Sequence, residues 1–412
     1  MRLKSNSVTS KWTPTVVLLG ITFLTRSAQN VALVTFPLLG AENLHLKSGT
    51  IGIAVACSGV IYALASMVLS ARARDHFTVI ALGVGLGFFG LGYGEFALAE
   101  SVYGFFAGAL FIGLGGGLSF PSLITLAGRI GPGNPEKSVT RYTVSLSLSL
   151  LVGPLVESGI LAWTHNSLRD AFWIFTPWPV VALVASLLLA KKWISVLRAS
   201  QADLTSPQND KPRSASESIE RISLRTQLSR PGFLRALWSQ LAFDVVFSSI
   251  VSFGGLLAVT KDRIAIRTFT LLFAMFYLIS LIIRLTLAAK SPITNKNILI
   301  RISCGCALVG LVFVVEHNIY LLMIGMMITG VGHGLSYPLS LSLIAEETPG
   351  HELSVANAHL TGIVKLADII LPLAIGFTAQ SIGYRDAIGL MVVPALVFAL
   401  AAFKPGKAAM NR

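Results

Sequence analysis

Apolar residues in this chain come in long unbroken runs, not in the alternation of a half-buried strand or the narrow stripe of a surface helix. The runs lie near 15–39, 50–70, 78–98, 102–128, 142–163, 171–190, 233–258, 266–288, 297–315, 319–344, 357–380 and 386–403. Each holds roughly 20 mostly apolar residues, enough to cross a hydrocarbon layer about 30 Å thick as a helix. The pattern therefore predicts an all-α membrane protein with twelve transmembrane helices. Between the sixth and seventh runs, residues 191–231 are rich in Asp, Glu, Lys, Arg, Ser, Gln and Pro, the composition of a solvated linker. The predicted organisation is a six-helix bundle over 1–190, a linker over 191–231 and a second six-helix bundle over 232–412.

An internal repeat sharpens this picture. Gly113-Leu-Gly115-Gly-Gly117-Leu118-Ser119-Phe120-Pro121 in span four recurs as Gly330-Val-Gly332-His-Gly334-Leu335-Ser336-Tyr337-Pro338 in span ten. The same offset relates Pro132-Gly133 to Pro349-Gly350, and an offset one residue shorter relates Arg169-Asp170-Ala171 to Arg385-Asp386-Ala387. Collinear matches in both halves point to duplication of a six-helix unit, with both copies in one orientation. His333 stands where the first half has Gly116, and reads as a hydrogen-bonded packing residue.

Composition agrees with the membrane reading: the 412 residues are 54% hydrophobic and 12% charged, against about a quarter charged in a soluble domain. A net charge of +13 raises nucleic-acid binding, but the distribution of the charge decides against it. With the N-terminus inside, about 21 Lys and Arg fall in inner segments and about 6 in outer ones, which is the positive-inside asymmetry. Both termini are thus expected in the cytoplasm, in the plasma or inner membrane. Cys57, Cys304 and Cys306 all sit inside apolar runs and read as packing residues. No phosphate-binding loop, nucleophile elbow or metal-ligand spacing is present in the sequence, so no enzyme activity, cofactor or metal is expected.

The repeated segment of spans four and ten, the small residues of span five and Gly383-Tyr-Arg-Asp-Ala387 before the last span resemble the major facilitator superfamily. The resemblance covers nearly the whole chain and is nearest in motif style to efflux members of that family. It implies two pseudo-symmetric six-helix bundles around a central cavity, opened alternately to each side. Span five offers Ser149, Gly153-Pro154 and Glu157-Ser158-Gly159 against the family's antiporter motif, a partial match. Between spans two and three the family's charges survive in Arg72, Arg74 and Asp75, but its glycines do not. The basic residue associated with proton-coupled export would fall near Ala109, and span four has no Lys or Arg in its place. Arg72, Arg74, Asp75, Gly153, Pro154 and Gly159 are accordingly the candidate conformational motif.

Ionisable side chains deep in a bilayer cost several kcal/mol each and mark cargo or ion paths. Arg26 in span one, Glu157 in span five, Asp244 in span seven, and Lys365 and Asp368 in span eleven are such groups. The resemblance places these four spans around the cavity. Arg26 sits in a polar patch with Thr25, Ser27, Gln29 and Asn30, suited either to pair with Glu157 or to hold an anionic cargo. Lys365 and Asp368 are three apart on one face and can pair with each other. Glu157 and Asp244 are the candidate proton carriers. Arg284, near the inner end of span eight, reads as snorkelling or contacting the inner loop rather than binding cargo.

Together these features predict a monomeric secondary transporter that moves a small molecule by alternating access in the lipid bilayer, coupled to protons and directed outward. An uptake symporter or uniporter for an organic anion is the alternative within transport. A lipid scramblase or a non-transporting sensor is the alternative outside it.

Overall fold

The computed structural model describes residues 6–71, 75–130, 135–204, 224–290, 293, 295–349 and 352–403. Among the described residues the protein is all-helical and twelve helices are long and apolar enough to span a bilayer. In chain order they are α1 (Asn6–Glu42), α2 (Ser48–Ala71), α3 (Asp75–Leu98), α4 (Val102–Ile130) and α5 (Pro135–Trp163), followed by α6 (Leu168–Phe175) with α7 (Pro177–Leu204). After the short α8 (Leu224–Leu228) come α9 (Pro231–Ser249), α10 (Ile266–Ala289), α11 (Lys296–Val315), α12 (Ile319–Glu347) and α13 (Leu353–Ile382). The last span is α14 (Tyr384–Leu390) with α15 (Val392–Phe403). Spans six and twelve are each broken once, at Thr176 and Met391, where Pro177 and Pro394 remove backbone donors.

Two local features depart from a simple reading of the apolar runs. The sixth span does not stop near residue 190: α7 continues to Leu204, and Trp193 and Leu197 on its extension are buried. The C-terminal part of span seven is wound as two π-helical segments, Ile250–Gly254 and Leu257–Lys261. Such wide turns release the regular ladder and re-aim side chains.

The chain groups into two compact units, Met1–Leu46 with Cys57–Pro212, and Lys47–Ala56 with Arg213–Arg412. The repeat makes the same contacts within each. In the first unit, side chains added at Gly113 and Gly117 of α4 would run into the Ser58 and Tyr62 carbonyls of α2. In the second, a Cβ at Gly330 of α12 would lie 2.6 Å from the Phe276 carbonyl of α10, and one at Gly334 2.8 Å from that of Ser280. The middle glycines, Gly115 and Gly332, press in turn on α3 and α11. Small residues four apart thus let two backbones meet in lipid, where close packing, not a hydrophobic drive, holds helices together.

The repeated arginine keeps its contact as well. Arg169 donates 2.7 Å to the Ala99 carbonyl just past α3, and Arg385 donates to the Val315 carbonyl at the end of α11. Each satisfies a carbonyl that the helix end leaves open. In the second unit Arg385 also pairs with Asp262 at 2.5 Å, a carboxylate whose other neighbour is His317, also at 2.5 Å. Arg385→Ala therefore leaves Asp262 with His317 alone and strands a carbonyl, whereas Arg169→Ala strands a carbonyl alone. The expected losses are about 2 and about 1 kcal/mol, read from denaturation of the purified protein. Equal losses would show the Asp262 pair to be idle.

At the opposite end of the second unit, the first turn of α9 begins at Pro231 and is capped by Glu347, whose Oε2 accepts from the Gly232 amide at 2.5 Å. A carboxylate at a helix N-terminus meets both the open amides and the positive end of the dipole. Arg230 and Glu352 pair beside it at 2.5 Å.

Candidate functional site

The first unit carries its polar residues on one seam. Ser145, Ser149, Gly153 and Glu157 repeat every fourth residue along α5 and so lie on one stripe. Ser145 donates 2.8 Å to the Leu19 carbonyl of α1, and Ser27 of α1 donates 3.2 Å to the Ser149 carbonyl. Gly153 sits so close to α1 that a Cβ there would be 2.7 Å from the Ser27 carbonyl. Pro154 is buried beside it, while Gly159 is exposed and a Cβ there would meet nothing within 4 Å.

Glu157 closes the seam. It is 0% exposed, and its Oε1 accepts from the Thr35 hydroxyl of α1. Its Oε2 is buried and meets no hydrogen-bond partner. Tyr93 of α3 lies beside the carboxyl, with its own hydroxyl donated to the Ala28 carbonyl. Arg26 is not the counter-ion of Glu157. Its guanidinium donates to Gln29 one turn along and stacks 4.4 Å over the Phe120 ring of α4, near Tyr142. Asn30 is buried and its amide nitrogen has no partner.

In the second unit, Asp244 on α9 is 5% exposed, with Oδ2 buried and unpartnered. The charged groups it faces are Asp368 and Lys365 of α13. These two pair with each other at 2.6 Å, and the Lys365 side chain is 49% exposed. An exposed ammonium in the middle of a span looks onto water or cargo, because hydrocarbon does not accept it. Asp244, Lys365 and Asp368 thus form one group, which places a buried carboxylate next to a partly exposed ion pair.

His333 of α12 is hydrogen-bonded through Nδ1 to Ser280 at 2.7 Å. Phe243, Phe247, Phe276 and Tyr277 surround its ring at centroid separations of 5.5, 5.3, 5.1 and 5.6 Å. Arg284 is partly exposed, its Nε is buried without a partner, and its titratable neighbours are Tyr277, Tyr337 and His333. Arg72 and Arg74 lie outside the described residues, and Asp75 begins α3. Ala109, where the family's basic residue would fall, is fully buried. Among the described residues no cluster of His, Cys, Asp and Glu could hold a metal ion.

Residues 18–316 and 302–409 match the family model described as Major Facilitator Superfamily. The chain belongs to the Major Facilitator Superfamily. Solved structures of the same fold agree along nearly its full length. A POT family transporter in complex with a thioalcohol-conjugated peptide superposes with a TM-score of 0.73 at 15% identity, covering 94% of each chain. The nucleoside transporter NupG, solved as a point mutant, gives 0.72 at 12% identity, covering 97% of this chain and 100% of that one. A bacterial homolog of the human lysosomal transporter Spinster, inward-facing and unoccupied, gives 0.74 at 12% identity and 97% of each. A search of curated proteins finds no match. This superfamily member is a multi-pass membrane transporter.

Proposed function

We propose that the protein is a proton-coupled secondary carrier that moves a small molecule by alternating access, exporting it across the plasma or inner membrane. In this reading it acts as a monomer, with both termini and the linker over 191–231 in the cytoplasm. Glu157, Asp244, Lys365 and Asp368 lie on the proton path, Arg26 and Asn30 meet the cargo, and Arg72, Arg74, Asp75, Gly153, Pro154 and Gly159 serve the conformational change.

One observation carries the coupling: each unit encloses a carboxyl with one oxygen that meets no partner, Glu157 in the first and Asp244 in the second. A bare anion at that depth costs several kcal/mol, so a proton is the companion such a group takes when enclosed and gives up when water reaches it. The solved relatives carry cargoes as different as a peptide conjugate and a nucleoside, so the shared fold gives no cargo.

Asp244→Asn tests the assignment. Because Asp368 stands next to it and can take over part of the proton traffic, efflux driven by the proton gradient is expected to fall roughly tenfold, not to vanish, a change worth about 1.4 kcal/mol. Dye efflux from cells with and without an imposed gradient reads this directly. Unchanged gradient-driven efflux in the variant would sink the coupling role of Asp244.

Arg26 favours a second reading. Its contacts are an amide and an aromatic ring, with no carboxylate partner among the described residues, which suits an organic anion taken up with or without protons. Comparing transport in right-side-out and inverted vesicles separates uptake from export.

A further inference from the structure

We propose that Arg284, Tyr277 and Tyr337 form a binding site for the carboxylate of an apolar organic monoanion, a proposal that rests on the carrier reading and adds its cargo class. Arg284 is a cation within a transmembrane helix, and no carboxylate pairs with it among the described residues. Its Nε is enclosed and unpartnered, and the groups nearest its charge are the two tyrosines and His333. Arg284 is partly exposed while its Nε is enclosed, so one edge of the guanidinium lies against aromatic side chains of α10 and α12 and the other is open.

The site is open on one side. Tyr337 lies mid-way along α12, yet it is 47% exposed. A tyrosine beside a guanidinium cannot face hydrocarbon without bringing the charge toward it, so this face looks onto water or cargo. The geometry supplies what a carboxylate requires: a planar fork with several N–H donors and two phenol hydroxyls. The charge count sets the valence. Lys365, a mid-span cation of the same unit, is matched by Asp368, whereas Arg284 has no carboxylate partner among the described residues, and one cation suits one negative charge. The neighbouring wall is apolar: Phe243, Phe247 and Phe276 cluster with Tyr277 around His333.

The first unit contains the same juxtaposition by a different route. Phe120 and Tyr337 hold one position in the repeat, and Arg26 stacks on Phe120. Yet within one residue of the offset between them, positions 242–244 stand in the place of Arg26 and positions 66–68 in the place of Arg284, and none of these is an arginine. Arginine reaches the repeated aromatic from α1 in one unit and from α10 in the other, so duplication does not account for it. A demand for positive charge at that aromatic does.

The test uses full-length protein purified in detergent and a panel of acetate, octanoate, benzoate and phenylacetate, each paired with its amide, read as ligand-dependent thermal stabilisation. Apolar monocarboxylates are expected to stabilise the wild type and their amides not to. Arg284→Gln should weaken the benzoate or octanoate effect at least tenfold in concentration, Arg284→Lys less, and Tyr337→Phe a few-fold, while the melting temperature without ligand stays close to wild type. If Arg284→Gln does not fold, Arg284→Lys and Tyr337→Phe carry the test. The proposal is overturned if no carboxylate stabilises the wild type, if amides do so equally, or if the folded variants bind as the wild type does. Reconstituted wild type that still moves a dye under a proton gradient while failing this panel loses only the anion site. Wild type that moves nothing under any gradient loses the carrier reading itself.

Discussion

Glu157→Gln is expected to abolish transport driven by a proton gradient, by a hundredfold or more in rate, roughly 2.7 kcal/mol or above, while the purified protein melts close to wild type. The substitution keeps the shape. The amide oxygen can still accept from the Thr35 hydroxyl, and the amide nitrogen takes the place of Oε2, which has no partner to lose. What disappears is the ability to take up and release a proton. Unlike Asp244, Glu157 has no second carboxylate beside it among the groups that perturb it, so nothing in its surroundings can substitute. Counterflow of cargo at equal pH, which needs no net proton movement, should persist. Gradient-driven accumulation at the wild-type rate in Glu157→Gln would show that this carboxyl is structural, and a variant that neither folds nor exchanges would show the same. Measuring both accumulation and counterflow in one set of proteoliposomes keeps these outcomes apart.

How much of this is visible in the sequence depends on whether the physics is local. Twelve spans are legible because a bilayer demands about 20 apolar residues wherever a helix crosses it, and the observed spans begin and end within a few residues of those expected, with the sixth as the exception. Lys191 and Lys192 look like a boundary, but a helix can leave the membrane and continue, as α7 does to Leu204. The expense of Glu157 and Asp244 is likewise legible, since each is a carboxylate inside an apolar run. Their partners are not: nothing in one sequence says that Thr35 meets Glu157 or that Arg26 turns to Phe120. The surroundings of Arg284 are not legible for the same reason. Near a helix end an arginine can extend outward or fold inward, and only the placement of Tyr277 and Tyr337 decides. The π-helical turns of span seven leave no trace, because Ile250-Val-Ser-Phe-Gly254 is an ordinary apolar stretch. The repeat is the part that reads most fully, and its reason is packing: the same glycines meet the same carbonyls in both units.

That packing sets the second large effect. Gly117→Val and Gly334→Val are each expected to destabilise the protein by about 3 kcal/mol, the upper end of the usual range for overpacking a tight contact. At Gly117 the new Cβ would meet the Tyr62 carbonyl and come within 2.8 Å of the Ala65 side chain; at Gly334 it would come within 2.7 Å of Ile283 and 2.8 Å of the Ser280 carbonyl. The carbonyl contacts are with backbone, which cannot rotate aside, so α4 must separate from α2, or α12 from α10. A polar backbone seam opened in lipid finds neither water nor a new partner. Gly94→Ala in α3 and Gly305→Ala in α11 are the controls, since a Cβ at either position meets nothing within 4 Å. Alanine there removes the helix penalty of glycine and should be neutral or stabilising by up to about 1 kcal/mol. Melting curves of the four variants in one detergent decide the matter. If the valine variants melt with the controls, the glycines merely accompany the close approach of these helices, and the repeat must owe its preservation in both halves to the part of α4 and α12 where Phe120 and Tyr337 meet their arginines.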